Sequence, residues 1–347
     1  MKIRGTIVIV LFAVPFGFSQ SFVATPLTDL GARLYLNRFQ GGLYENGSNG
    51  IPADHAAAGK TLAAQVAASC GKTTSSQCVL LGIGMSNANL EFAAFRGLFE
   101  HSTVVNHKML TVVDGAQGGR VACTWIHAFG DIRGCRGLSQ HLNGTRNPYD
   151  VVLDNWLTPA GYTESQVKIV WIEEADPGPT VSLPAARADA YTYEGYLGSI
   201  VRAVKQRYPR CLLMFIGSRN YGGYATVKLN PEPYAYEYGF STKWVIQAQI
   251  NQVRSGTVDP IAGDLNYTNG TAPWIGWAAY TWADGTVPRS DGLVWCQGQP
   301  RVPCDGEFDF SEIDGTHPSH AGALKTAKLM MNFFSTSVFS APWFLPH

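Results

Sequence analysis

A serine, a histidine and an aspartate occur in sequence contexts that suit nucleophilic attack on an ester. Ser86 follows the apolar run 78–83 and the dipeptide Gly84–Met85, and a stretch with helical spacing comes after it. A serine at such a strand-to-helix turn exposes its hydroxyl, and the helix N-terminus stabilises developing negative charge. Serine needs a neighbouring base to become a good nucleophile. The alternative interpretation is a serine that only caps the helix.

The base and the acid that orients it are expected near the C-terminus. Residues 314–319 read DGTHPS and precede a final amphipathic helix. We expect His317 to take the proton from Ser86, and Asp314 to orient the imidazole and stabilise its charged form. An ordinary turn is the alternative, since Asp-Gly is a strong turn signal.

The same reasoning predicts an oxyanion hole. The backbone N–H groups of Ser86 and of Gly118 or Gly119 are candidate donors, because the segment DGAQGG (114–119) ends a neighbouring strand. Asn87 is a candidate to complete the set. Donors of this kind each contribute a few kcal/mol to transition-state stabilisation. For the two glycines, a plain tight turn is the alternative.

The elements that position these residues alternate along the chain. Apolar runs predict strands at 78–83, 109–113, 167–172, 211–216 and 274–279, and helical spacing predicts helices at 89–98, 148–160, 185–208 and 324–334. This alternation predicts an α/β fold with a parallel sheet that is covered on both faces. Loops at the carboxyl ends of such strands meet at one edge, so the candidate residues should converge there.

The N-terminus has the pattern of a secretory signal peptide. Lys2 and Arg4 precede a nearly continuous apolar run at 7–18, which small residues follow. The run is too short for a confident membrane span, and an uncleaved anchor is the alternative. We therefore predict a signal peptide at 1–19, a single domain at 20–347 with its core at about 79–334, and a secreted or periplasmic protein without a membrane span after signal removal.

Seven cysteines are interpreted in that oxidising context. Local pairing is the simplest arrangement and predicts three disulfides, Cys70–Cys78, Cys123–Cys135 and Cys296–Cys304, although other connectivities remain open. Cys211 is left over at the start of an apolar run and is expected to be a buried thiol.

Charge and ligand spacing exclude several classes of function. The chain carries 26 basic and 26 acidic side chains without a basic stripe, which argues against nucleic acid as a partner. The cysteines form no CxxC pair, and His320 near His317 has no further ligand set, so we expect no metal and no cofactor. The expected partner is an acylated small molecule or glycan.

Together, Ser86 in the segment GMSN, a glycine in a second block and the segment DGTHPS resemble the SGNH (GDSL-type) hydrolase superfamily. The first block is most similar to the carbohydrate-esterase branch that includes sialate O-acetylesterases, where it reads Gly-Gln-Ser-Asn. The resemblance covers about 79–334. It implies a flavodoxin-like three-layer α/β/α sandwich and a Ser-His-Asp esterase without a metal or organic cofactor. The chain departs from the family pattern after the third strand, where Gly-x-Asn-Asp is absent; GSRN (217–220) is similar but follows the fourth strand.

Aromatic residues suggest where a sugar would bind. The segment 231–240 reads PEPYAYEYGF and is interpreted as an aromatic loop beside several tryptophans. Sugar rings stack on aromatic walls with polar rims, although aromatics also fill cores. The candidate substrate contacts are Glu174, Tyr234, Tyr236 and Trp282.

The sequence thus predicts a secreted serine esterase that removes O-acetyl groups from carbohydrate through an acyl-enzyme on Ser86. The alternatives are a non-catalytic carbohydrate-binding protein on the same fold and an O-acyltransferase that passes the acyl group to a sugar hydroxyl. The binding protein would retain glycan binding without Ser86 and His317, and the transferase would favour an acceptor over water.

Overall fold

A computed structural model describes residues 22–132, 135 and 146–346. The predicted signal peptide, residues 1–19, lies outside the described residues. No helix within the described part of the chain has the length and apolar character needed to cross a bilayer.

A five-stranded parallel sheet forms the centre of the fold. The strands are β3 (Cys78–Gly84), β4 (Leu110–Asp114), β5 (Val167–Glu173), β6 (Leu213–Ile216) and β7 (Trp274–Trp277), in the spatial order β4-β3-β5-β6-β7. Counted within the sheet, this is the flavodoxin-like order 2-1-3-4-5. The strands are buried almost throughout, which explains why they are continuous apolar runs in the sequence.

Helices cover both faces of the sheet. One face packs against α2 (Ala53–Ser69), α3 (Ser86–His101), α7 (His320–Thr336) and α8 (Ala341–Phe344), and the other against α4 (Pro148–Val152), α5 (Asp189–Arg207) and α6 (Tyr234–Ser255). Alternate residues of each strand enter opposite layers, as the two-residue period requires: Trp171 and Phe215 lie in the first layer, and Ile172 and Ile216 in the second. The predicted three-layer α/β/α sandwich is confirmed.

The N-terminal part of the described chain packs against α6. It contains α1 (Leu27–Leu30) and a short antiparallel pair, β1 (Leu34–Tyr35) with β2 (Phe39–Gln40). The ammonium of Lys243 in α6 donates to the carbonyl oxygens of Gln40 and Gly41 at 2.8 and 2.6 Å. These two hydrogen bonds hold the antiparallel pair β1–β2 against α6.

Two local predictions need correction, and one helix was not predicted. The segment 231–240 is mostly helix rather than loop, because α6 starts at Tyr234, and prolines before a helix do not interrupt its hydrogen bonds. The helix predicted at 148–160 consists of α4 followed by a π-helical segment, Leu153–Leu157. The 17-residue helix α2 was not predicted, although its many alanines favour a helix.

The cysteine pairing agrees with the prediction. Disulfides join Cys70 to Cys78, Cys123 to Cys135 and Cys296 to Cys304. Cys211 is a buried free thiol, and burial raises its pKa to about 12. Three disulfides are consistent with an extracellular or periplasmic protein.

Candidate active site

Ser86 lies at the sharp turn between β3 and α3. Gly84 ends the strand with φ +142°, and a Cβ at this position would overlap the carbonyl oxygen of Glu173 on the neighbouring strand. Met85 occupies the N-cap in extended conformation, so Ser86 is the first helical residue and is not the cap. The turn is at the carboxyl edge of the sheet, between β3 and β5, where the strand order reverses; ligands bind at this point in open α/β sheets.

His317 and Asp314 continue a row of hydrogen bonds from Ser86. The Ser86 Oγ lies 2.7 Å from His317 Nε2, and His317 Nδ1 lies 2.6 Å from Asp314 Oδ2. When Nδ1 carries the proton towards the carboxylate, Nε2 accepts from the serine hydroxyl. The arrangement can therefore deprotonate Ser86 and stabilise the resulting imidazolium.

The loop before α7 holds Asp314 in its ionised form. The second carboxylate oxygen, Oδ1, accepts from the backbone N–H groups of Thr316 and His317 at 2.9 and 3.0 Å. Burial alone would raise the pKa of Asp314, but the hydrogen bond with the His317 ring and these two backbone bonds outweigh it and lower the pKa below its usual value. Gly315, with φ +62°, lets this loop pack directly against the backbone of Tyr224.

Asn87 ties the serine turn to the histidine loop. Its buried side-chain amide donates to the carbonyl oxygen of Thr316 at 2.8 Å. One N–H of this amide is therefore engaged in a contact that sets the position of His317 relative to Ser86, while Asn87 also lines the cavity over Ser86.

The loop after β4 brings a second backbone donor beside Ser86. The N–H groups of Gly115 and Gln117 donate to the carbonyl oxygens of Gly82 and Gly84, each at 2.8 Å, and so attach the loop to β3. Gly119 then lines the same cavity as Ser86, whereas Gly118 lines a separate cavity on the other side of the loop. Within the described ranges, the N–H groups of Ser86 and Gly119 have no acceptor, so both can donate to an oxyanion.

Asp114, the last residue of β4, is expected to make stability depend on pH. It is buried, accepts from Ala116 N–H and the Asn89 amide, and burial raises its pKa to about 7. The unfolded side chain loses its proton near pH 4, so between about pH 4 and pH 7 only the folded state keeps it. The free energy of unfolding therefore falls as the pH rises through this window.

The variant Asp114→Asn tests this dependence. The free energy of unfolding of the variant minus that of wild type should increase by about 2–4 kcal/mol between pH 4.5 and pH 8. Any pH-independent difference between the two proteins adds a constant to this value. Urea unfolding of both proteins at several pH values measures the difference. If the free energies of unfolding of the two proteins change with pH in parallel, Asp114 is not the source of the pH dependence.

A cavity of about 280 Å³ opens over Ser86 and His317. Its apolar lining residues are Met85, Val121, Ala175, Pro177 and Leu229. Besides Ser86 and His317, its polar side chains are Asn87, Asp176, Arg219, Asn230 and Thr316. Such a mixture of apolar walls and a few converging polar groups is typical of small-molecule sites.

The four predicted sugar contacts do not line this cavity. Tyr236 and Trp282 are buried and pack together with ring centroids 4.7 Å apart. Glu174 is also buried, and burial raises the pKa of its carboxyl well above the usual value. Tyr234 is half-buried at the start of α6. The aromatic side chains of this region thus contribute mainly to the core.

Arg219 and Asn230 are site residues that sequence reasoning missed. The Arg219 guanidinium pairs with the buried carboxylate of Glu173 and donates through Nε to Asn230 Oδ1 at 3.2 Å. Asn230 has φ +59°, and its buried Nδ2 has no hydrogen-bond partner among the described residues. In the sequence, Arg219 lies in the segment GSRN (217–220), which resembles the Gly-x-Asn-Asp block of the family but follows the fourth strand. Asn230 precedes a proline, which indicates only a turn.

One group of potential metal ligands is found in the described ranges, at Cys296, Glu307 and Asp309. The Cys296 sulfur is bound to Cys304, and the Asp309 carboxylate lies 2.5 Å from the Lys325 ammonium. A disulfide sulfur is not a thiolate, so this group does not fit a metal site.

Comparisons with known proteins give a distant structural likeness and no match at the level of sequence families. No protein-family model matches the chain, and no curated protein matches it. Among solved structures, the crystal structure of protein YxiM from Bacillus subtilis is similar, with a TM-score of 0.35 and 13% sequence identity. The match covers 75% of this chain and 57% of that chain, so the chain spans little more than half of it.

Proposed function

We propose that this protein is a serine ester hydrolase with Ser86 as nucleophile, His317 as general base and acid, and Asp314 as the group that orients His317. The observation that carries the proposal is the row of hydrogen bonds Ser86–His317–Asp314, with donor–acceptor distances of 2.7 and 2.6 Å, at the wall of a cavity. The resemblance of GMSN and DGTHPS to the SGNH hydrolase superfamily agrees with it.

The mechanism follows from the positions of these groups. His317 Nε2 removes the proton from Ser86 as the oxygen attacks an ester carbonyl, and the N–H groups of Ser86 and Gly119 donate to the oxyanion. The imidazolium then gives its proton to the leaving alcohol, and an acyl-enzyme remains. Water attacks this ester with help from His317, releases the acid and restores Ser86.

The cavity favours a small acyl group on a polar alcohol. Its apolar walls suit a methyl or short alkyl group, and its carboxylate, guanidinium and amide side chains suit hydroxyl groups. O-acetyl groups on a carbohydrate meet both requirements, and the family resemblance points to the same substrate class.

We further propose that Asn230 supplies a third donor to the oxyanion. Replacement by glycine keeps the left-handed backbone and removes the amide, so kcat should fall about 100-fold with a smaller change in KM. Asn46→Gly is the matched control, because Asn46 also has positive φ but lies away from the cavity. Equal kcat values for the two variants would exclude Asn230 from this role.

Hydrolysis of p-nitrophenyl acetate and of acetylated sugars by the purified protein tests the proposed function. We expect release of acetate from both, with a higher kcat/KM for the sugar. The transferase alternative predicts that an added sugar acceptor receives most of the acetyl groups. Glycan binding without any turnover would replace the enzyme by the binding-protein alternative.

A further inference from the structure

A buried cluster of charged side chains adjoins the cavity over Ser86. It consists of Glu91 in α3, Glu173 at the end of β5 and Arg219 after β6, and each of them is at most 4% exposed. Arg219 lines the cavity, and its guanidinium pairs with the carboxylate of Glu173. The cluster therefore connects the interior of the protein to the cavity wall through Arg219.

One of the two glutamates in this cluster keeps its proton. Two ionised carboxylates beside one guanidinium would leave a buried net negative charge, which is strongly unfavourable. The carboxyl groups of Glu91 and Glu173 lie within hydrogen-bonding reach of each other, and such a bond needs a proton on one of them. Burial, and next the charge of Glu173, raise the pKa of Glu91 well above its usual value. Glu91 therefore holds the proton, and Glu173 remains the ionised partner of Arg219.

Arg219 also determines which end of the Asn230 amide faces it. Its Nε donates to Asn230 Oδ1 at 3.2 Å. A guanidinium has N–H donors and no acceptor, so the amide cannot turn its own NH₂ group towards Arg219. Asn230 lines the cavity, and its Nδ2 has no acceptor among the described residues. A donor of this kind suits an oxyanion, which forms only during the reaction.

We infer that Arg219 is a positioning residue that, anchored by Glu173, holds the Asn230 amide with its N–H groups available to the oxyanion. An amide without this contact can rotate and present its oxygen, which repels an oxyanion. The role requires an arginine, because the single nitrogen of a lysine pairs with Glu173 and leaves none for Asn230. The inference rests on the proposed function and on Asn230 as its third donor.

The kinetics of Arg219→Lys test this role. We expect kcat for p-nitrophenyl acetate to fall at least about 10-fold and KM to change less than about threefold, because the oxyanion exists only in the transition state. Arg289→Lys is the matched control and should keep the wild-type kcat. Arg289 is also buried and pairs with Asp291, but it lies outside the cavity. A thermal melt of each variant establishes that it is folded.

A second background separates an action through Asn230 from a general effect on the cavity. In Asn230→Gly protein, Arg219→Lys should lower kcat by less than about threefold further, since the amide that it positions is gone. An equal fall in kcat in both backgrounds would overturn the inference. An Asn230→Gly enzyme with wild-type kcat would overturn it too and leave the esterase intact.

Two glutamine substitutions test the anchor without changing Arg219, and they serve also where Arg219→Lys does not fold. Glutamine has nearly the shape of a protonated glutamate. At Glu91 it can still accept from the Asn220 amide, as Oε1 does at 2.7 Å, and donate to Glu173. At Glu173 it removes the counter-charge of Arg219. Glu173→Gln should therefore lower kcat at least about 10-fold more than Glu91→Gln, and equal effects would contradict the anchoring.

Nuclear magnetic resonance gives a readout that needs no turnover. The side-chain NH₂ signal of Asn230 is identified in a ¹⁵N spectrum by its loss in Asn230→Gly. Its order parameter should be near the rigid-backbone value of about 0.85 in wild type and in Arg289→Lys, and below about 0.6 in Arg219→Lys. Absence of ester turnover with this change in order would reject the esterase and retain the positioning of the amide. An order parameter that is unchanged in Arg219→Lys would overturn the inference, whether or not the protein hydrolyses esters.

Discussion

Replacement of Ser86 by alanine is expected to lower kcat for ester hydrolysis by at least about 10⁴-fold. Among the described side chains, the Ser86 Oγ is the only oxygen within hydrogen-bond distance of His317 Nε2. The variant lacks this oxygen, so no acyl-enzyme can form. The remaining donors at Ser86 and Gly119 are backbone groups and survive the substitution. KM should therefore change much less than kcat.

The fold should tolerate this change. The Ser86 hydroxyl makes its one described hydrogen bond with His317 and does not cap α3, so the melting temperature should stay within a few degrees of wild type. Ser255→Ala, at the exposed end of α6, is the matched control and should retain full activity. Steady-state kinetics with p-nitrophenyl acetate and a thermal melt of each protein measure both effects. A Ser86→Ala enzyme with wild-type kcat would reject the nucleophile.

Replacement of Asp314 by asparagine is expected to lower kcat by about 10⁴-fold while the loop keeps its shape. The asparagine oxygen can still accept from the N–H groups of Thr316 and His317, as Asp314 Oδ1 does. Its amide then faces His317 Nδ1 as a donor and drives the ring proton to Nε2. In that tautomer the ring cannot accept the proton of Ser86, and the imidazolium loses its counter-charge.

The control for this variant is Asp305→Asn, in an exposed turn with φ +44°, a conformation that asparagine tolerates. It should hydrolyse esters at the wild-type rate. Comparison of kcat over pH 5–9 for the three proteins makes the measurement specific to the histidine. Activity of Asp314→Asn within 10-fold of wild type across that range would contradict the role given to Asp314.

The sheet could be predicted from sequence because its strands are buried on both faces. A run such as CVLLGIG in β3 has no polar position, and this is the pattern that a covered parallel strand requires. Such runs also marked the loops at the carboxyl edge, so Ser86 and His317 could be considered together although 231 residues separate them. Their proposed roles in catalysis stay predictions.

The lining of the cavity over Ser86 could not be predicted in the same way. Arg219 and Asn230 lie in the segment between β6 and α6, and their significance depends on which partners tertiary packing gives them. The segment 231–240 was misassigned because aromatic side chains suit both a binding loop and a buried helix face. Periodicity alone does not separate the two when most positions on the helix are buried, as they are in α6.

Covalent labelling with a fluorophosphonate tests the central claim most directly, because only an activated serine reacts and no natural substrate is needed. Intact-mass and peptide mass spectrometry of the labelled wild-type protein should show one adduct, located on Ser86. The adduct should be absent from Ser86→Ala and form far more slowly in His317→Ala. An unlabelled wild-type protein, or an adduct on a different residue, would contradict the account of Ser86 as the nucleophile.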